Sequence, residues 1–222
     1  MTYGAHTAVL SLHGILMHRN GPLLDAGRIL SPSDAVGLAH ILLDPASARD
    51  AVFSVLPETL LYQSASCMVW WRPPQMTTQY WRTKEGRVTL QAVLPGLVFH
   101  GTPDGLCVAA VAGQERPTDS TLLFHAPLGN VHDDTHVCLG SALLPRRLDV
   151  SEIAAFERTL LGTNYTHVNH HNTLAGGATT EQLMAFWNRR ARAKTPPQKA
   201  LLAPVGFTLA KWGRQLTEGR VA

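Results

Sequence analysis

Between residues 66 and 112 the chain returns repeatedly to short β-rich runs: SCMVWW (66–71), TQYWRT (78–83), RVTLQAVL (87–94), GLVFHG (96–101) and LCVAAVA (106–112). Pro73-Pro74, KEG, Pro95 and TPDG separate them. Each separator is a turn or bulge signal, so the runs predict strands of an antiparallel sheet. A further apolar segment, STLLFHAPL (120–128), follows them. Upstream, TAVLSLHGILMH (7–18), the turn RNGP and a second apolar stretch through Leu30 predict an N-terminal hairpin. Ser31 is placed to cap a helix that opens at Pro32, carries Val36, Ala39, Leu42 and Leu43 as its stripe, and ends before Pro45.

Past residue 148 the apolar period changes from two to near 3.6. DVSEIAAFERTLLG (149–162) has Asp149 and Glu152 in capping-box spacing, Ile153, Phe156 and Leu160 on one face, and Gly162 as a stop. TTEQLMAFWNRRARAK (179–194) repeats the logic with Thr179 and Gln182, then Leu183, Phe186 and Trp187, and Pro196-Pro197 beyond its end. Strands followed by helices predict an α+β domain. The expected organisation is one domain over 1–213: hairpin and helix in 1–45, antiparallel β-meander in 65–130, a polar loop in 131–145, helices in 149–213, and a frayed tail in 214–222.

Composition narrows the class. A hydrophobic content of 45% over 222 residues is ample for a core. Charged residues at 16% exclude a disordered acidic or basic chain, and a net charge of +3 argues against a dedicated nucleic-acid binder. No apolar run approaches the ~18 residues of a membrane span. Cys67, Cys107 and Cys138 are an odd number with wide spacing and no CxxC pair. This pattern indicates neither a disulfide framework nor a zinc ribbon, and the expectation is a soluble cytoplasmic protein with no membrane or nucleic-acid partner.

The candidate chemistry lies in HAPLGNVHDDTHVCLGS (125–141). Cys67 and Cys107 sit inside apolar strands and read as buried hydrophobes, whereas Cys138 has polar neighbours at the junction of strands and helices. A metal reading takes His132, His136 and Cys138 with help from His167, His170 or His171. Their spacings match no zinc pattern, the second histidine group lies about thirty residues away, and no stoichiometric zinc or other cofactor is expected. A nucleophile reading takes Cys138, with Asn130 as a neutral donor to an oxyanion. His125, beside Pro127, reads as packing. Arg189, Arg190, Arg192 and Lys194 lie at a helix end, where positive charge complements the dipole.

The run from Asn130 to Cys138 and Leu139 resembles the active-site segment of ubiquitin-conjugating (UBC) enzymes, in which a His-Pro-Asn tripeptide precedes the catalytic cysteine and the Asn stands eight residues before it. Val131, Val137 and Leu139 fill the aliphatic positions of that segment. Leu128-Gly129 stands where His-Pro would, and Thr135 where glycine is usual. A closer resemblance is to prokaryotic ubiquitin-conjugating family D, the group called PRTRC system protein B. VWWRPP, LPGLVF, RPTDSTLLFHAPLGNV, VCLGS, FERTLLGTNYTHVN and LLAPVGF echo it in order over residues 69–207.

The resemblance implies a UBC-like fold with the catalytic cysteine in the loop after the last strand. It also implies a ThiF-like adenylating partner, a ubiquitin-like β-grasp protein carried as a thioester on Cys138, and an amine on an unknown target. Asn130 is expected to stabilise the oxyanion. Asp133 and Asp134 are candidates to orient or deprotonate the amine, and His167, in THVN, is an accessory candidate. Two other classes stay open: a noncatalytic UBC-like binding module, and a zinc-dependent hydrolase using the His/Cys cluster.

Overall fold

The chain folds as two compact units, Met1–Val55 and Leu56–Ala222. The computed structural model describes residues 11–18, 21–36, 55–84 and 86–218. In the first unit β2 (Ile15–His18) pairs antiparallel with β3 (Gly21–Leu24), and β1 (Ser11–Leu12) pairs with β4 (Arg28–Ile29). Residues 32–36 are helical. Ser31 caps them: its Oγ accepts from Asp34 N at 3.2 Å, and its own N–H donates back to the Asp34 carboxylate at 2.9 Å. Ala39, Leu42 and Leu43 of the expected stripe lie outside the described residues.

In the second unit the strands are β5 (Leu60–Gln63), β6 (Met68–Arg72), β7 (Met76–Thr83), β8 (Gly86–Val93), β9 (Gly96–Gly101), β10 (Leu106–Val111), β11 (Leu122–His125), β12 (Asn164–Tyr165) and β13 (Pro204–Thr208). Strands β6, β9 and β10 are apolar at nearly every position, and such strands belong where both faces of a sheet are covered. They are the centre of a six-stranded sheet ordered β13-β11-β10-β9-β6-β5. Met68, Trp70, Leu97, Phe99, Leu106, Val108 and Ala110 enter the main core, while the alternate residues Val69, Trp71, Val98, Cys107, Ala109 and Val111 enter a second one.

The expected single meander is corrected here. Pro73 and Pro74 have no N–H to offer a ladder, so the chain leaves the sheet after Arg72. It then runs the β7–β8 hairpin, which pairs with β12 in a separate three-stranded sheet. After Pro95 it returns as β9, which pairs antiparallel with β6.

Among the described residues of the second unit, three α-helices pack on the sheets. Asp149 caps a short 3-10 turn at Val150–Glu152 rather than closing a capping box with Glu152, and the turn leads into α1 (Ile153–Leu161). In α2 (Thr180–Arg190) the Thr179–Gln182 capping box is complete. Helix α3 (Leu209–Thr217) carries helical backbone four residues into the stretch expected to fray, with Leu209 and Trp212 buried in the second core, while 219–222 lie outside the described residues. Trp70 stacks on Phe99 at 5.2 Å in the main core, with Phe156 of α1 beside it at 5.6 Å. No helix among the described residues is long and apolar enough to cross a membrane.

Candidate active site

Strand β11 stops at His125 and so covers only the second half of β10, pairing with Ala109–Val111. The first half of β10 is left with an open edge, and the polar loop fills it. Val137 N donates to Leu106 O at 2.8 Å and Val108 N to Thr135 O at 2.9 Å. The loop closes on itself as a small hairpin: Val131 bridges Val137, His132 N donates to His136 O at 2.8 Å, and Cys138 N donates to Asn130 O at 2.7 Å. Backbone pairing therefore sets Cys138 opposite Asn130.

Two residues turn this loop with left-handed backbone, Asn130 at φ 58° and Thr135 at φ 72°. Asparagine visits that region readily, but a β-branched threonine does so only when its surroundings fix it. Thr135 is almost fully buried, and its hydroxyl accepts from Trp212 Nε1 of α3 at 2.9 Å. The position where the ubiquitin-conjugating pattern carries glycine is thus one whose backbone favours glycine. On the incoming side Trp187 Nε1 of α2 donates to Pro127 O at 2.7 Å. Gly129 meets Tyr165 so closely that a Cβ there would lie 2.8 Å from the Tyr165 Cβ. A residue with a side chain has no room in that contact, and this accounts for Gly129 at a site where the eukaryotic pattern has proline.

Among the three free cysteines Cys138 alone is exposed. Burial pushes the Cys107 thiol up to about 12, far from a thiolate at neutral pH. Asn130 is 8% exposed; its amide donates one N–H to Asn164 O at 3.2 Å and its backbone N–H goes to His167 O at 3.3 Å. His167 is exposed and approaches the site through that carbonyl, while its ring Nδ1 lies 2.8 Å from the Thr166 hydroxyl. Asp133 and Asp134 are exposed at the hairpin tip. They stand five and four residues before Cys138, on the turn that the His132–His136 pairing closes. The structure gathers Cys138, Asn130 and the His167 main chain at the base of the loop and holds the two carboxylates at its far end.

At that end Asp134 Oδ2 lies 3.2 Å from His136 Nδ1. Asp133 Oδ1 lies 3.1 Å from His170 Nδ1 and 3.7 Å from His125 Nε2, and accepts from Asn172 Nδ2 at 3.3 Å. Burial holds both His125 and His170 below the ordinary imidazole value, although Asp133 pulls the other way. His125 is buried, as its sequence context suggests, and also borders open space. It lines, with Asp133, His132 and Trp212, a cavity of about 690 Å³ that does not include Cys138. The candidate metal set His132, His136 and Cys138 does not converge; among the described residues the group that does is His125, Asp133 and His170. Sequence reading missed it because its members come from three separate segments.

A family model described as prokaryotic E2 family D matches residues 38–202. Neither a curated protein nor a solved structure matches the chain.

Proposed function

The chain belongs to prokaryotic E2 family D, a family of ubiquitin-like conjugation that implies an E1-like activator and a ubiquitin-like protein, and on that premise we propose that Cys138 is the acceptor of the modifier. The observation that supports the reading is the backbone pairing of Cys138 N with Asn130 O, which puts an exposed cysteine and a largely buried asparagine at facing positions of one small hairpin. The Cys138 thiolate attacks the C-terminal carbonyl carbon of the modifier held on a ThiF-like activator. A C–S bond forms to Cys138, and the bond to the activator breaks with its electron pair on the leaving group. An amine nitrogen of the target then attacks the same carbon, C–N forms, C–S breaks, and the thiolate leaves as the amine proton passes to solvent or a base.

Asn130 Nδ2 carries two hydrogens. One is given to Asn164 O, which fixes the amide plane, and the second serves the oxyanion that forms when the amine attacks. Asp133 and Asp134 act on the incoming amine from the tip of the loop and through water, and His167 supports Asn130 by its carbonyl. The open cavity at the tip is not needed for thioester transfer, because the reacting groups arrive on proteins at the surface where Cys138 lies.

Incubation with a ThiF-like activator and a ubiquitin-like modifier, followed by non-reducing gels, tests the assignment. The expected result is a thiol-labile adduct with wild type, Cys67→Ser and Cys107→Ser. Cys138→Ser gives a thiol-resistant ester or no adduct. A thiol-labile adduct that survives Cys138→Ser overturns the reading, and a folded wild-type chain that never forms one favours a binding module.

A further inference from the structure

His125, Asp133 and His170 are far apart in sequence, yet each offers one ligand atom and these atoms all lie within 4.8 Å of one another. Two imidazoles and one carboxylate suit a borderline divalent transition metal better than magnesium or calcium, which want oxygen. Bonds of about 2.0–2.2 Å to a tetrahedral ion place ligands roughly 3.3–3.5 Å apart. The His170–Asp133 and His125–Asp133 separations of 3.1 and 3.7 Å straddle that value. The widest pair has to close by only about 1.4 Å.

Both rings are buried, and the candidate ligand atom His170 Nδ1 has no hydrogen bond. His125 is 6% exposed, and the His170 side chain is 8% exposed. His125 Nδ1 and both ring nitrogens of His170 are buried and make no hydrogen bond. Among them is His170 Nδ1, whose approach to Asp133 Oδ1 at 3.1 Å lacks hydrogen-bond geometry. A buried ring nitrogen left unpaired is costly, and an ion held by Asp133 Oδ1, His125 Nε2 and His170 Nδ1 removes that cost for His170 Nδ1. Asn172 donates to the Asp133 carboxylate, the kind of outer contact that orients a ligating oxygen. The 690 Å³ cavity beside His125 and Asp133 gives an ion a way in and leaves room for water at its remaining positions.

We propose that His125, Asp133 and His170 bind one divalent transition-metal ion of the zinc class, tying the tip of the Cys138 loop to the 169–172 segment. It departs from the expectation of no stoichiometric zinc, which held for the whole chain and was argued from His132, His136 and Cys138. The proposal does not rest on the conjugation reading, since metal binding is measured without modifier or activator.

The test is titration of the chelator-stripped full chain with Co²⁺, read by its visible d–d absorption, with Zn²⁺ as competitor and circular dichroism as the fold control. The expected result is about one equivalent bound and displaced by zinc. Affinity falls by at least on the order of tenfold to a hundredfold in His170→Ala and in Asp133→Asn, and is unchanged in His132→Ala and Cys138→Ser. Asp133 is exposed, so Asp133→Asn keeps the test alive if the buried histidine variant does not fold. Failure of the wild-type chain to bind Co²⁺, wild-type affinity in folded Asp133→Asn, or loss of binding in Cys138→Ser each overturns the site.

Discussion

At residue 130 the backbone and the chemistry make separate demands. The φ of 58° favours glycine or asparagine, while the proposed oxyanion contact needs an amide. The two are separable by comparing Asn130→Ala with Asn130→Gly, since glycine keeps the left-handed turn and both variants lose the donor. Both are expected to load Cys138 and then discharge to lysine on the order of a hundredfold more slowly, as for removal of one oxyanion donor. Single-turnover discharge from preloaded thioester measures this. A wild-type rate in Asn130→Gly with only Asn130→Ala impaired would reassign Asn130 to bracing the turn. The Asn130-to-Cys138 spacing is legible in the sequence because both are side-chain identities at a fixed interval. The Asn164 carbonyl that orients the amide is not, because a main-chain acceptor 34 residues away carries no residue identity.

At the scale of elements, helix α3 reaches the loop through one hydrogen bond, Trp212 Nε1 to Thr135 Oγ1. Trp212→Phe keeps most of the apolar surface and removes the donor, leaving a buried hydroxyl without that partner. The expected cost is about 1 kcal/mol in urea unfolding, with faster amide exchange over 131–137 read by mass spectrometry. Unchanged exchange there would show that the backbone ladder to β10 suffices. Helices α1 and α2 are readable in advance because capping residues and a 3.6 period are local signals. The six apolar segments between 66 and 128 are likewise legible as strands, but their partners are not. That β6 skips to β9 depends on both faces of those strands being covered, and part of the cover comes from residues more than fifty positions downstream, such as Phe156 on one face and Trp212 on the other. The two-residue β12 lies within the range where periodicity has nothing to count.

For the molecule as a whole, buried histidines set the acid limb of stability. Burial pushes His100 below its ordinary value, and its Nε2 has no hydrogen-bond partner. As pH falls the unfolded chain takes up this proton before the folded one, so the contribution of His100 is complete above about 6.5 and is lost below it. His125 and His170 shift the same way. The urea midpoint is therefore expected to drop between about pH 7.5 and 5.5, and to drop less in His100→Gln. A midpoint that rises on acidification would contradict this. The α+β class and the family were within reach of the sequence, and the His125–Asp133–His170 convergence was not, because it exists only once β11, the loop and the 170–173 turn are assembled.

The order in which the loop acquires its supports has a consequence during synthesis. Its first support, the edge of β10, precedes Cys138 in the chain, but Asn164, His167 and finally Trp212 follow it. Thr217, the end of α3, is 79 residues past Cys138, which at ~5–20 residues per second is roughly 4–16 s of translation. Throughout that interval the thiol has been made while the clamp that seats its loop has not, so a nascent chain passes through a stage in which Cys138 is present but not yet poised.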